Sequence, residues 1–131
     1  KQLTYENVCK ELFKENYFYF TSYGVILRSS DINALTYDPN NASTKHQLEC
    51  ILAKNKLANV ARYLNGKWKP DLVRGNAWVL VYIPETNHIT TIKARDWTET
   101  PSVLFNSATS AKQAIEILGK ETIILALEPL Y

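Results

Sequence analysis

Few side chains in this 131-residue sequence could do chemistry beyond folding. Two histidines, His46 and His88, and two cysteines, Cys9 and Cys50, are its softest donors. They show neither C-x-x-C nor H-x-x-x-H spacing, so no metal site is expected. Cys9 and Cys50 read as small buried hydrophobes, because each falls on an apolar helix face where a thiol is inert. His46 and His88 read as solvated residues, one in the first turn of a helix and one at the mouth of a turn.

Two fragments resemble parts of phosphodiester-cleaving sites, and both fall short. Pro70-Asp71 could open a Pro-Asp…Glu-x-Lys nuclease core, but Thr91 stands where the carboxylate two places before Lys93 is needed. His88-Ile89-Thr90 is one H-x-T where the phosphoesterases of that type use two. Asp31, Asp38, Asp71 and Asp96 all lie in loop or turn sequence, where Asp is common for backbone reasons. Gly24, Gly66, Gly75 and Gly119 are scattered, so no phosphate-cradling loop exists, and there is no G-x-S-x-G elbow. The expectation is a non-enzyme with no catalytic residues and no cofactor.

The richest segment is 54–74. Lys54, Lys56, Arg62, Lys67, Lys69 and Arg74 are basic, Asp71 is acidic, and Tyr63, Trp68 and, just beyond, Trp78 interleave with them. Cations attract phosphates and aromatic faces stack on bases, so weak nucleic-acid binding is one reading. In structural terms the same segment is a solvated helix face, followed by a loop whose Trp68 lies over the core as a lid. The candidate partner-binding residues are Lys54, Arg62, Lys67, Trp68, Lys69 and Arg74.

The elements that must position these residues follow from periodicity. Thr4 caps a first helix to about Phe13, with Tyr5, Val8, Cys9, Leu12 and Phe13 on one face. The run Tyr17-Phe18-Tyr19-Phe20-Thr21, a turn at Tyr23-Gly24, and Val25-Ile26-Leu27-Arg28 make a hairpin. Residues 29–41 form a loop. Thr44 and Gln47 have capping-box spacing and open the longest helix, about 45–64, which Asn65-Gly66 ends. Its wide stripe, from Leu48 and Cys50 to Leu64, marks it as the central helix. Strands are expected over 77–83, 88–94 and 102–105. Ser107 then caps a helix ending at Gly119, and a last helical turn or two precede Pro129. The predicted class is α+β: a long central helix packed on a small antiparallel sheet, with an N-terminal helix and hairpin and C-terminal helices.

One globular domain over 1–131 is expected from this length, with 46% hydrophobic and 21% charged residues. A net charge of +2 is too mild to indicate a nucleic-acid partner by itself. The opening residues lack the apolar core of a secretory signal, and no apolar run approaches the ~18–20 residues that cross a bilayer. Two isolated cysteines agree with a reducing compartment, so no membrane and a cytoplasmic location are expected.

The run Asn59-Val60-Ala61-Arg62-Tyr63-Leu64-Asn65-Gly66-Lys67-Trp68-Lys69-Pro70-Asp71 resembles a motif of small uncharacterised phage and prophage proteins of gut Bacteroidetes and Clostridia. Their helix ends in Leu-Asn-Gly, then Trp-Lys-Pro-Asp. An aromatic strand, a strand ending in Phe and an Ala-rich helix follow. The same order runs here through Trp78 to Ile83, Val103-Leu104-Phe105 and Ala114-Ile115-Glu116-Ile117-Leu118-Gly119, and Thr4-Tyr5-Glu6-Asn7-Val8-Cys9 is similar to their opening. The chain departs at Leu72, where the group often has Trp, and its aromatic strand keeps Trp78 and Tyr82 where the group has several Tyr. The resemblance implies a mobile-element origin. By analogy it suggests a binding protein in the host cytoplasm that acts on a host protein, such as an inhibitor of restriction or CRISPR defence. A nucleic-acid-binding accessory protein and a virion-associated structural protein are the alternatives.

Overall fold

A computed structural model describes residues 3–21, 23–35, 37–70, 75–94 and 103–131. These residues form four helices and two small antiparallel sheets, the α+β class expected from the sequence. The chain divides into two compact units, Lys1–Glu49 with Leu130–Tyr131, and Cys50–Pro129.

In the first unit, Thr4 starts α1 (Tyr5–Leu12) by accepting the Asn7 N–H at its hydroxyl, 3.2 Å away. Strands β1 (Tyr17–Phe20) and β2 (Ile26–Ser29) form a hairpin with Tyr17 opposite Ser29 and Phe20 opposite Ile26. Cys9, Phe13, Tyr17 and Ala42 are the core, with Tyr19, Ile32 and Tyr37 packed around them. The apolar face expected of α1 is only partly buried. Cys9 and Phe13 go inward, whereas Tyr5, Val8 and Leu12 are exposed. A two-turn helix over so small a core has apolar neighbours along one edge alone. Asp31 and Asp38 close turns, each accepting a backbone N–H two residues on (Asn33 at 2.8 Å, Asn40 at 2.9 Å).

Helix α2 (Lys45–Asn65) opens with the capping box that Thr44 and Gln47 predict. The Thr44 N–H donates to Gln47 Oε1 at 2.9 Å, and the Gln47 N–H donates to the Thr44 hydroxyl at 3.0 Å. It ends where Gly66 takes φ +59°, a left-handed conformation strained for any residue with a Cβ.

In the second unit, β3 (Trp78–Ile83) and β4 (His88–Lys93) pair antiparallel, Val79 opposite Ile92 and Val81 opposite Thr90. Alternation gives the two faces of β3 different neighbours. Leu80, flanked by half-buried Trp78 and Tyr82, joins the main core with Ile89, Ala53, Leu57 and Ala61 of α2, and Phe105. Val79 and Val81 face a smaller cluster of Ala77, Ala94, Trp68 and Leu104. The strand expected over 102–105 is, among the described residues, a single bridge at Phe105. Phe105 exchanges two 2.8 Å backbone hydrogen bonds with Trp78. It extends no further because Ser107, two residues on, already caps α3 (Ala108–Leu118) by accepting the Ser110 N–H. Gly119 then separates α3 from α4 (Lys120–Leu127), a full two-turn helix where a turn or two was expected. Ala111 and Ala114 of α3 and Ile123 and Ala126 of α4 complete the core. No helix among the described residues is long and apolar enough to cross a membrane.

Candidate interface on the long helix and the loop after it

The candidate residues come apart once their neighbours are known. Lys54 is half-buried, and its ammonium donates to the carbonyl oxygens of Ala126 at 2.6 Å and Glu128 at 2.8 Å. These carbonyls sit at the C-terminal end of α4, where unsatisfied acceptors and the negative end of the helix dipole both favour a cation. The charge of Lys54 is therefore turned inward.

Arg62, Lys67 and Lys69 are exposed, as is Lys56, two turns before Tyr63. None of these four forms an ion pair among the described residues. Between residues 50 and 70 the sequence contains no Asp or Glu. Tyr63 lies among these cations and is 83% exposed. Arg74 and Asp71 lie outside the described residues.

Trp68 is half-buried and packs with Ala77, Val79 and Ala94, whereas Leu57 and Leu64 belong to the main core. The expected lid is present but covers the opposite face of the sheet. The Trp68 N–H donates to the Asn65 carbonyl at 3.1 Å, so the chain turns back directly after α2. Asn65 also ties the helix end to the segment before α3. Its Nδ2 donates to the Leu104 carbonyl at 2.8 Å, and its Oδ1 accepts the Asn106 N–H at 2.9 Å. Arg62, Asn65, Trp68, Pro70, Val103 and Leu104 surround an open cleft of about 240 Å³. With the Asn65 amide occupied, the groups this cleft offers a ligand are the Arg62 guanidinium, the exposed part of the indole and an apolar wall. That combination suits a carboxylate flanked by apolar groups.

Elsewhere, a cavity of about 520 Å³ in the first unit is lined by Leu12, Phe13, Phe18, Leu130 and Tyr131, with Thr44 and Gln47 committed to each other at its polar edge. Tyr37 places its hydroxyl where it is buried without a hydrogen-bond partner among the described residues, and burial pushes its pKa up. Tyr5 is also raised, chiefly by its hydrogen-bonding relation to the Cys9 thiol. Both the Tyr5 hydroxyl (2.6 Å) and the Cys9 thiol (3.7 Å) donate to the Pro39 carbonyl. Lys93 sits over the Trp78 ring, 5.8 Å from its centre, a cation–π contact on the core-side face of the sheet. Against known protein families, curated proteins and solved structures, the chain finds no match.

Proposed function

We propose that this protein is a non-enzymatic binding module that docks on an acidic surface of another protein. The docking surface comprises the exposed face of α2 and the loop after it. One observation carries this reading: exposed Lys56, Arg62, Lys67 and Lys69 flank an exposed Tyr63 in sequence and pair with no described carboxylate. Charges that pair with no carboxylate among the described residues are available to a partner, and Arg and Tyr are residue types that dominate binding energy at protein interfaces. The phage-like motif supports a host protein as the partner and the host cytoplasm as the setting, with a component of a defence system as the target class.

Tyr63 among cations also favours a second reading, nucleic-acid binding, because an aromatic face beside basic groups can stack a base. Salt separates the two. Four phosphate contacts at about 0.9 each would give a slope of log K against log salt near −3.6. A protein interface anchored by Arg62 and Tyr63 responds less steeply. The test is capture from nuclease-treated host lysate by the wild-type protein and by Arg62→Ala and Tyr63→Ala. One protein retained by the wild type and lost by both variants supports docking. Capture that nuclease abolishes, or DNA binding that persists at physiological salt, overturns it in favour of nucleic acid.

A further inference from the structure

Inside the second unit, Leu57 of α2, Leu80 of β3, Val103, Phe105 and Leu127 of α4 line a cavity of about 210 Å³. Lys54, three residues before Leu57 and so on the same side of α2, lines it too. Leu57, Leu80 and Phe105 are buried, whereas Lys54, Val103 and Leu127 are half-buried. The floor is therefore apolar and closed, and the mouth carries an ammonium. Two of its three donors go to the Ala126 and Glu128 carbonyls. The third has no acceptor, and the charge no carboxylate partner, among the described residues. We propose that this cavity binds a small free monocarboxylate with a benzene-sized apolar group, its carboxylate on Lys54 and its apolar group against Leu57, Leu80 and Phe105.

Size sets the apolar part. A cavity of about 150 Å³ lined by Leu, Ile and Phe takes up benzene. At about 210 Å³ this one admits a ring of that size with a carboxyl group attached. It is smaller than the roughly 300–1,000 Å³ that drug-sized ligands fill. Charge sets the head group. The C-terminal end of α4 carries about half a negative charge, which offsets only part of the full charge on Lys54. The remainder favours an anion over a neutral or cationic molecule of the same shape. A half-buried ammonium with no counter-ion bears a desolvation cost, and a carboxylate on its third N–H offsets this through a charge-assisted hydrogen bond. Because the mouth is only half-buried, the carboxylate keeps part of its hydration on entering. The site is independent of the docking surface proposed above.

The test titrates the intact chain at neutral pH with sodium benzoate, and with benzyl alcohol and benzylamine as neutral and cationic molecules of similar size. Calorimetry should show one benzoate site, with a Kd of about 1 mM or tighter for so small a ligand, and binding of the other two about ten-fold weaker or less. Nuclear Overhauser effects from the ring protons should reach the methyl groups of Leu57, Leu80 and Leu127. Lys54→Met should weaken benzoate about ten-fold or more, the loss of one hydrogen bond between charged groups, while benzyl alcohol binds at least as tightly as before. A variant that had merely lost its fold would lose both ligands. Leu127→Trp narrows the mouth and leaves Lys54 in place, so it should weaken benzoate about ten-fold or more even if Lys54→Met does not fold. No benzoate binding by the wild type, ring contacts to methyl groups outside the cavity, or equal affinity for benzoate and benzyl alcohol overturns the site.

Discussion

Replacing Lys54 by Met tests the most specific energetic claim the fold makes. The change keeps the length and packing of the stem and removes the ammonium, which donates at 2.6 and 2.8 Å to the Ala126 and Glu128 carbonyls. A hydrogen bond to a charged group contributes about 1.5–3 kcal/mol, and a cation at a helix C-terminus about 0.3–1 kcal/mol more. Partial exposure of Lys54 lets water replace some of this, which favours the lower end. A loss of about 2–4 kcal/mol follows, after allowing for water and for the Met stem that stays packed. With an unfolding entropy of about 2.1 cal/mol/K per residue, that lowers Tm by roughly 7–15 °C in a chain of 131 residues. Lys56→Met, on the exposed side of the same helix, should change stability by no more than about 0.5 kcal/mol. Chemical and thermal denaturation measure both. Equal stability of the two variants would refute the inward assignment of Lys54 and return it to the binding surface.

Trp68→Ala should destabilise by about 2–4 kcal/mol, below the cost for a fully buried Trp because the ring is only half-covered; Lys67→Ala should be nearly silent in the same denaturation curves. Tyr37→Phe should stabilise the protein by about 1 kcal/mol at neutral pH, because it removes a buried hydroxyl with no partner. The Tyr37 pKa is raised in the folded state, so its contribution is fully present below the unfolded value near 10 and is lost as pH rises through the folded one. In Tyr37→Phe, stability between neutrality and pH 11 should therefore fall less steeply than in the wild type, and identical slopes would contradict this.

Local signals were the most legible part of this chain. Thr4, the Thr44–Gln47 pair and Ser107 each cap the helix their positions predict, because capping needs only groups three residues apart. What spacing could not show was which partners arrive from far along the chain. Lys54 looks like any helix-surface lysine in sequence, and its acceptors lie 72 and 74 residues away. The apolar stripe of α1 was correct as a pattern, but Tyr5, Val8 and Leu12 stay exposed, since periodicity says which side is apolar and not how much surface exists to cover it. The same limit applies at Phe105, where a β-rich run promised a strand and the Ser107 cap allowed a single bridge.

Helix α2 has an inward side and an outward side, and the division follows from its sequence. The Ala53, Leu57 and Ala61 side is small and apolar and fits against Leu80 and Ile89 of the sheet. Lys54, next to Ala53 on that same side, donates to the Ala126 and Glu128 carbonyls. Lys56, Arg62 and Tyr63 are exposed, the Tyr63 ring lies in solvent, and neither cation pairs with a carboxylate among the described residues. Of these, the apolar side follows from burial alone. The outward residues are polar or aromatic groups without which the fold would be nearly as stable. A surface Lys or Tyr contributes little to stability, so Lys56, Arg62 and Tyr63 are free to vary without loss of the fold. The proposed docking can therefore be removed by substituting these residues while α2 stays intact, whereas the same treatment of Lys54 unsettles the helix end it holds. That difference is what lets binding and folding be tested separately in this protein.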